Sequence, residues 1–226
     1  MGFLSFIGGC IGAACSVCST IGGAIMAGVG SLIPAIGVIT TAINLISLLA
    51  KLFAGKPEEE QPEEIGMKAE ISAQEGIKPE NFDSVNEYIE YLRKEIELEP
   101  DKLANLSEED RRTYKLVGSG LYLKDVQEQI GVNIGEGFLK TADQLLKNGY
   151  KLEDVGNFVK EMKANNISNL DLCENYFDGT LQAGSKERIG INSSVYSMVE
   201  KHFSESNNID VDEKVDSLKA SIKNDK

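Results

Sequence analysis

From Gly2 to Ala50 the chain is an unbroken run of apolar and small residues, with no Asp, Glu, Lys, Arg or His; Lys51 is the first charged side chain. A membrane-spanning helix needs about 20 mostly apolar residues, so this run holds room for two, Phe3 to Ala27 and Leu32 to Phe53. Gly28, Gly30 and Ser31, followed by Pro34, mark a turn between them, because glycine frees the backbone and proline favours a helix start. The pattern predicts a Gly/Ala-rich hydrophobic helical hairpin over residues 1–54, embedded in a membrane.

Beyond it the pattern changes. GKPEEEQPEE, residues 55–64, is charged and broken by proline, which predicts an extended acidic linker, with partial order from 65 to 80. From Phe82 onward apolar residues recur every three or four positions. Val85, Tyr88, Ile89, Leu92 and Ile96 form one stripe, with Asp83 or Ser84 as its cap. Ser107 and Asp110 make a capping box ahead of Tyr114, Leu116 and Val117, and a further helix is expected from near Lys124 through Val126 and Ile130. Phe138, Leu139, Ala142, Leu145 and Leu146 form a stripe that Asn148-Gly149 stops. Leu152, Val155, Phe158, Val159 and Met162 follow, then Val195, Met198, Val199 and Phe203, then Val211, Val215, Leu218 and Ile222. No segment alternates as a strand does. The expected fold is all-α, the hairpin being joined to a C-terminal acidic bundle of five to seven short helices over residues 81–226.

The hairpin has further detail. Gly8 and Gly12, Gly23 and Ala27, and Ala24 and Gly28 are small residues four apart, a spacing that lets helix backbones approach closely in lipid. These six are the expected self-association residues. Asn44, in the second span, is placed to hydrogen-bond between helices. Cys10, Cys15 and Cys18 fall within the first span. Their C-x4-C-x2-C spacing resembles that of plant-type iron–sulfur ferredoxins, but the fourth cysteine, Cys173, is far away in the acidic region, so no cluster is expected. Small, packable thiols are the simplest reading, and acylation is the alternative that a hydroxylamine-sensitive mass shift tests.

Charge narrows the partners. All 36 acidic and 23 basic side chains lie at or after Lys51, for a net charge of −13. A strongly acidic domain repels phosphate backbones, which argues against nucleic acid as a partner; the acidity aids solubility or attracts a basic protein partner. Lys51 and Lys56 flank the second span, and the positive-inside rule then puts the C-terminal domain on the cytoplasmic side of the membrane.

A search for chemistry returns little. No zincin, nucleophile-elbow, phosphate-loop or EF-hand pattern occurs, so neither a metal nor a cofactor is expected. GSGLYL (118–123) and GVNIGEG (131–137) read as helix breaks. The single histidine, His202, lies on the Val195–Val199–Phe203 face and reads as a satisfied, half-buried side chain. CENYFDGTL (173–181) reads as a surface loop packed by Tyr176 and Phe177, and Tyr176, Phe177 and Asp178 are the alternative partner-contact residues. The expectation is a non-enzymatic, membrane-associated homo-oligomer whose acidic domain binds another protein. Two alternatives stay open. One is a secreted, membrane-active toxin, since GGAIMAGVGSLIPAIG is similar to segments of small pore-forming bacteriocins. The other is a structural part of a phage-tail or injection-type assembly, with the hairpin buried in protein.

Overall fold

The structure is a computed structural model and describes residues 36–204 and 209–224. The first span of the expected hairpin, its turn, and Gly8, Cys10, Gly12, Cys15, Cys18, Gly23, Ala24, Ala27 and Gly28 lie outside the described residues. Those described are all-α, with ten helices and no strand; an isolated bridge joins Asn133 and Asn169. The chain divides after Gln129 into two compact units.

In the first unit, helix α1 (Ile36–Phe53) buries Leu45, Ile46, Leu49 and Ala50, while Asn44, Lys51 and Leu52 are exposed. Spacings of one and four residues put the buried side chains on one face. Among the described residues no helix is long and apolar enough to cross a membrane. Helix α2 (Pro62–Gln74) occupies half of the stretch, 55–80, read as a partly ordered linker. Pro62 sits at its first position, where the missing N–H costs nothing, and Glu63 and Glu64 face the positive end of the helix dipole. Its buried face includes Ile65, Gly66 and Ala69. Helix α3 (Val85–Glu95) is capped by Ser84, whose hydroxyl accepts from the Glu87 amide at 3.2 Å. It buries Val85, Tyr88, Ile89 and Leu92, four of the stripe's five residues. The short helix α4 (Pro100–Ala104) leads to α5 (Glu108–Ile130), where the Ser107 hydroxyl accepts from the Asp110 amide at 3.1 Å.

Helix α5 corrects one expectation. It runs straight through Gly118 and Gly120, where the sequence suggested a break and a second helix. The reason is close packing. A Cβ on Gly118 would lie 1.9 Å from the Pro62 carbonyl oxygen, and one on Gly66 would lie 2.1 Å from that of Tyr114. These glycines let α2 and α5 cross backbone to backbone, a use of glycine that does not end a helix.

The second unit holds α6 (Glu136–Lys147), α7 (Leu152–Ala164), α8 (Leu172–Phe177), α9 (Lys186–His202) and α10 (Val211–Asn224). Helix α9 packs against α7, α8 and α10, and α6 packs against α8. Phe138, Leu145, Val155, Phe158, Val159, Met162, Val195, Met198, Val199, Val215, Leu218 and Ile222 form the core. Gly149, at φ 90°, ends α6 as its Asn-Gly pair implied. From Val85 onward the described residues form eight helices, more than the five to seven expected, because α4 and α8 are single turns too short for a periodic signal.

Candidate functional site

A cluster of buried and half-buried charges lies where the chain leaves α1. Gly55, at φ 63°, turns the backbone, and the Ala54 and Lys56 amides both donate to the Ala50 carbonyl, at 2.9 and 3.2 Å. The turn aims the Lys56 side chain inward, where only 7% of the residue stays exposed. Its Nζ donates to the Glu60 and Pro57 carbonyls and lies 5.3 Å from the centre of the Tyr122 ring. An ammonium over an aromatic face is attracted by the ring's quadrupole.

Glu60 is the centre of the arrangement. Arg93 of α3 donates to it from Nε and Nη2, each at 2.7 Å, and the Tyr122 hydroxyl of α5 donates to its Oε1. The remaining Arg93 fork donates from Nη1 to Glu90 at 2.5 Å. Two parallel charge-assisted bonds fix orientation as well as energy. Burial alone would push the Glu60 carboxyl up; the Arg93 guanidinium and the Tyr122 phenol outweigh it and hold the carboxyl below its usual range. Burial, then the adjacent Glu60 charge, pushes the Tyr122 phenol up, and burial pulls Lys56 down. The loop between α1 and α2 is thereby tied to both α3 and α5.

Around this cluster the unit carries polar groups that are less well served. Asp125, 3% exposed, accepts from Gln129 Nε2 at 3.4 Å, and burial pushes its carboxyl up. Glu63 Oε1 lies 3.5 Å from Arg111 and 3.8 Å from Lys115, but its buried Oε2 has no protein partner, and neither has the Ser119 hydroxyl.

The sequence-derived partner-contact candidates of the second unit lie on α8 and just after it. Tyr176 and Phe177 are buried on α8, where a surface loop was expected. The Tyr176 hydroxyl donates to Asn192 Oδ1 at 2.5 Å, and its ring meets Phe177 edge-on. Asp178 follows α8 at its C-terminus, half-buried. His202 Nδ1 lies 2.7 Å from Asp154 Oδ2, between the rings of Tyr150 and Phe203. That is the satisfied, half-buried histidine the sequence implied. Cys173 is buried with its sulfur 3.3 Å from Met162 Sδ, and burial drives its thiol well above the usual range, so it is a packing residue and a poor nucleophile. Among the described residues no group of three His, Cys, Asp or Glu side chains could hold a metal ion.

Two arrangements went unread in the sequence. Glu60 and Arg93 stand 33 residues apart, and nothing local marks them as partners. Asp171 Oδ1 accepts from the Gly135 and Phe138 amides, each at 2.9 Å, capping α6 from a distant turn. A Cβ on Gly135 would lie 2.2 Å from Asp171 Oδ2. The glycines of GVNIGEG were the available signal, since glycine admits close approach.

No family model, curated protein or solved structure matches this chain.

Proposed function

We propose that this chain is a non-enzymatic, membrane-associated protein that self-associates through its uncharged N-terminal segment and holds a protein partner on its acidic helical domain. The observation that carries this reading is the absence of any charge from Gly2 to Ala50 in a chain whose every acid and base lies at or after Lys51. A segment of that composition is driven out of water, and lipid is the commonest environment that takes it. Small residues four apart, such as Gly8 and Gly12, supply faces for helix association there. Net acidity favours a basic protein surface over nucleic acid.

The test is membrane fractionation of the full-length protein with a carbonate wash, followed by sizing in mild detergent. A carbonate-resistant pellet and a detergent-stable oligomer that Gly12→Leu or Ala24→Leu dissociates are the expected results. A strict monomer indifferent to both substitutions overturns the self-association.

Burial of Leu45, Ile46, Leu49 and Ala50 on one face of α1 favours a second reading, in which the uncharged segment is packed into protein as part of an assembly. In that case the full-length protein sediments as a lipid-free particle or stays in the soluble fraction.

A further inference from the structure

We propose that the Lys56–Glu60–Arg93–Tyr122 cluster is a releasable latch that holds the apolar face of α1 in its buried position. The latch itself stands on the burial of α1 and on the contacts of Lys56 and Glu60; only its consequence for lipid rests on the membrane reading above.

Three observations carry it. First, the cluster acts on the connection that leaves α1. Within seven residues of Phe53 the chain places two charged side chains inward, Lys56 and Glu60, and they grip two different helices. A loop that only joined two helices would leave such side chains in water, where charged side chains are normally found. Second, the helix so held is apolar. Leu45 and Leu49 are fully buried and Ile46 nearly so, with Ala50, whose carbonyl takes both turn amides, beside them. Freeing the turn uncovers a face that lipid would accept. Third, the unit around the latch is loaded with groups that gain from opening. Glu63 Oε2 and the Ser119 hydroxyl are buried without a protein partner, and Asp125 is buried with a single long hydrogen bond, from Gln129 Nε2 at 3.4 Å, its carboxyl pushed up by burial. Each is stabilised by water once the helices part. One strong ionic contact therefore opposes several weak reasons to open, which is how a two-state element is built.

The latch closes on the Glu60 carboxylate. Glu60→Gln keeps size and polarity but removes the charge that Arg93 grips. Glu90→Gln removes the other carboxylate on Arg93 without touching the loop and serves as the control. Hydrogen exchange on the full-length protein reads the outcome. Amides from Leu45 to Lys56 should exchange about tenfold faster in Glu60→Gln, with those of α7 and α9 unchanged, and Glu90→Gln should stay within about twofold of wild type. Tyr122→Phe, which removes one hydrogen bond and leaves the Arg93 fork in place, should give a smaller acceleration of the same amides and covers the case in which Glu60→Gln fails to fold. Unchanged exchange at 45–56 in Glu60→Gln overturns the latch. Acceleration spread evenly over α3 and α5 also overturns it, since the cluster would then serve only general stability. Flotation with phosphatidylcholine vesicles separates the second question. Faster exchange with increased flotation supports the latch and its consequence for lipid together. Faster exchange with no flotation of either protein supports the latch and removes the membrane reading.

Discussion

The two units bury polar groups in opposite ways. In the second, each buried polar side chain among the described residues has a partner at good distance. Thr141 donates to the Gly137 carbonyl at 2.9 Å, Asp143 pairs with Lys147 at 2.8 Å, and Ser194 donates to the Gly190 carbonyl at 2.9 Å while accepting from Asn165. In the first lie both of the buried side-chain atoms that, among the described residues, have no protein partner, Glu63 Oε2 and Ser119 Oγ, beside the buried Asp125 and the Glu60 cluster. A buried donor or acceptor left unpaired costs about 1–3 kcal/mol. The second unit is thus built to stay closed, and the first is built to be held closed by specific contacts. The unit that includes α1, the end of the uncharged segment, is the one with internal reasons to open.

The largest effect should come from the helix crossing. Gly118→Ala places a methyl group where the Pro62 carbonyl oxygen already lies, at 1.9 Å, and backbone cannot yield as a flexible side chain can. Helices α2 and α5 must separate, at a cost of about 3 kcal/mol or more. Hydrogen exchange should show the first unit opening while α7 and α9 keep their protection. If both units lose protection together, they are one cooperative body and the contrast drawn above fails.

In the second unit the matching weak point is a cap. Asp171→Ala removes the acceptor for the Gly135 and Phe138 amides and leaves the start of α6 unsatisfied. The expected loss is about 1–2 kcal/mol, read by urea unfolding. It should appear as faster exchange in the first turn of α6. A change below about 0.3 kcal/mol would mean that water replaces the cap without penalty.

These two sites mark what the sequence makes legible. The helical stripes were readable because burial follows the 3.6-residue period, as Val155, Phe158, Val159 and Met162 show. Ser84 and Ser107 were readable as caps because their partners lie three residues away. Gly118 misled because a glycine inside a helix and a glycine ending one look alike until the opposing backbone is known. Helix α2 was missed because proline and repeated glutamates signal a spacer, yet Pro62 is tolerated in the first turn and Glu63 and Glu64 suit it. Glu60 with Arg93, and Asp171 with Gly135, were missed because pairing across more than 30 residues depends on tertiary packing, which leaves no periodic trace.

Acidity should act on the first unit in two opposed ways. Burial raises the Asp125 carboxyl above its ordinary value of 3.8. The folded state therefore binds that proton more tightly than the unfolded state. The penalty is fully present above the raised folded pKa and disappears as pH falls below 3.8. Glu60 has the reverse sign. Its carboxyl lies below its ordinary value of 4.5, so its contribution is present above 4.5 and is lost as pH falls through the depressed folded pKa. Asp125→Asn should stabilise the first unit at pH 7 by about 1 kcal/mol, and the gain should shrink as pH approaches 3.8. A gain that is constant from pH 7 to pH 4 would mean that the ionised carboxylate is not the source of the penalty.

The smallest effect tests the contrast most directly. Ser119→Ala deletes a hydroxyl that is buried without a protein partner and retains the Cβ that packs there. Removing a polar group that makes no bond takes away its desolvation cost, so the variant should be neutral or more stable by up to about 1 kcal/mol. Ser194→Ala in the second unit deletes a hydroxyl that both donates and accepts, and should destabilise by about 1 kcal/mol or more. The same substitution at two equally buried serines should therefore have opposite signs. Equal losses at both would mean that Ser119 is satisfied by internal water, and the first unit would lose one of its reasons to open.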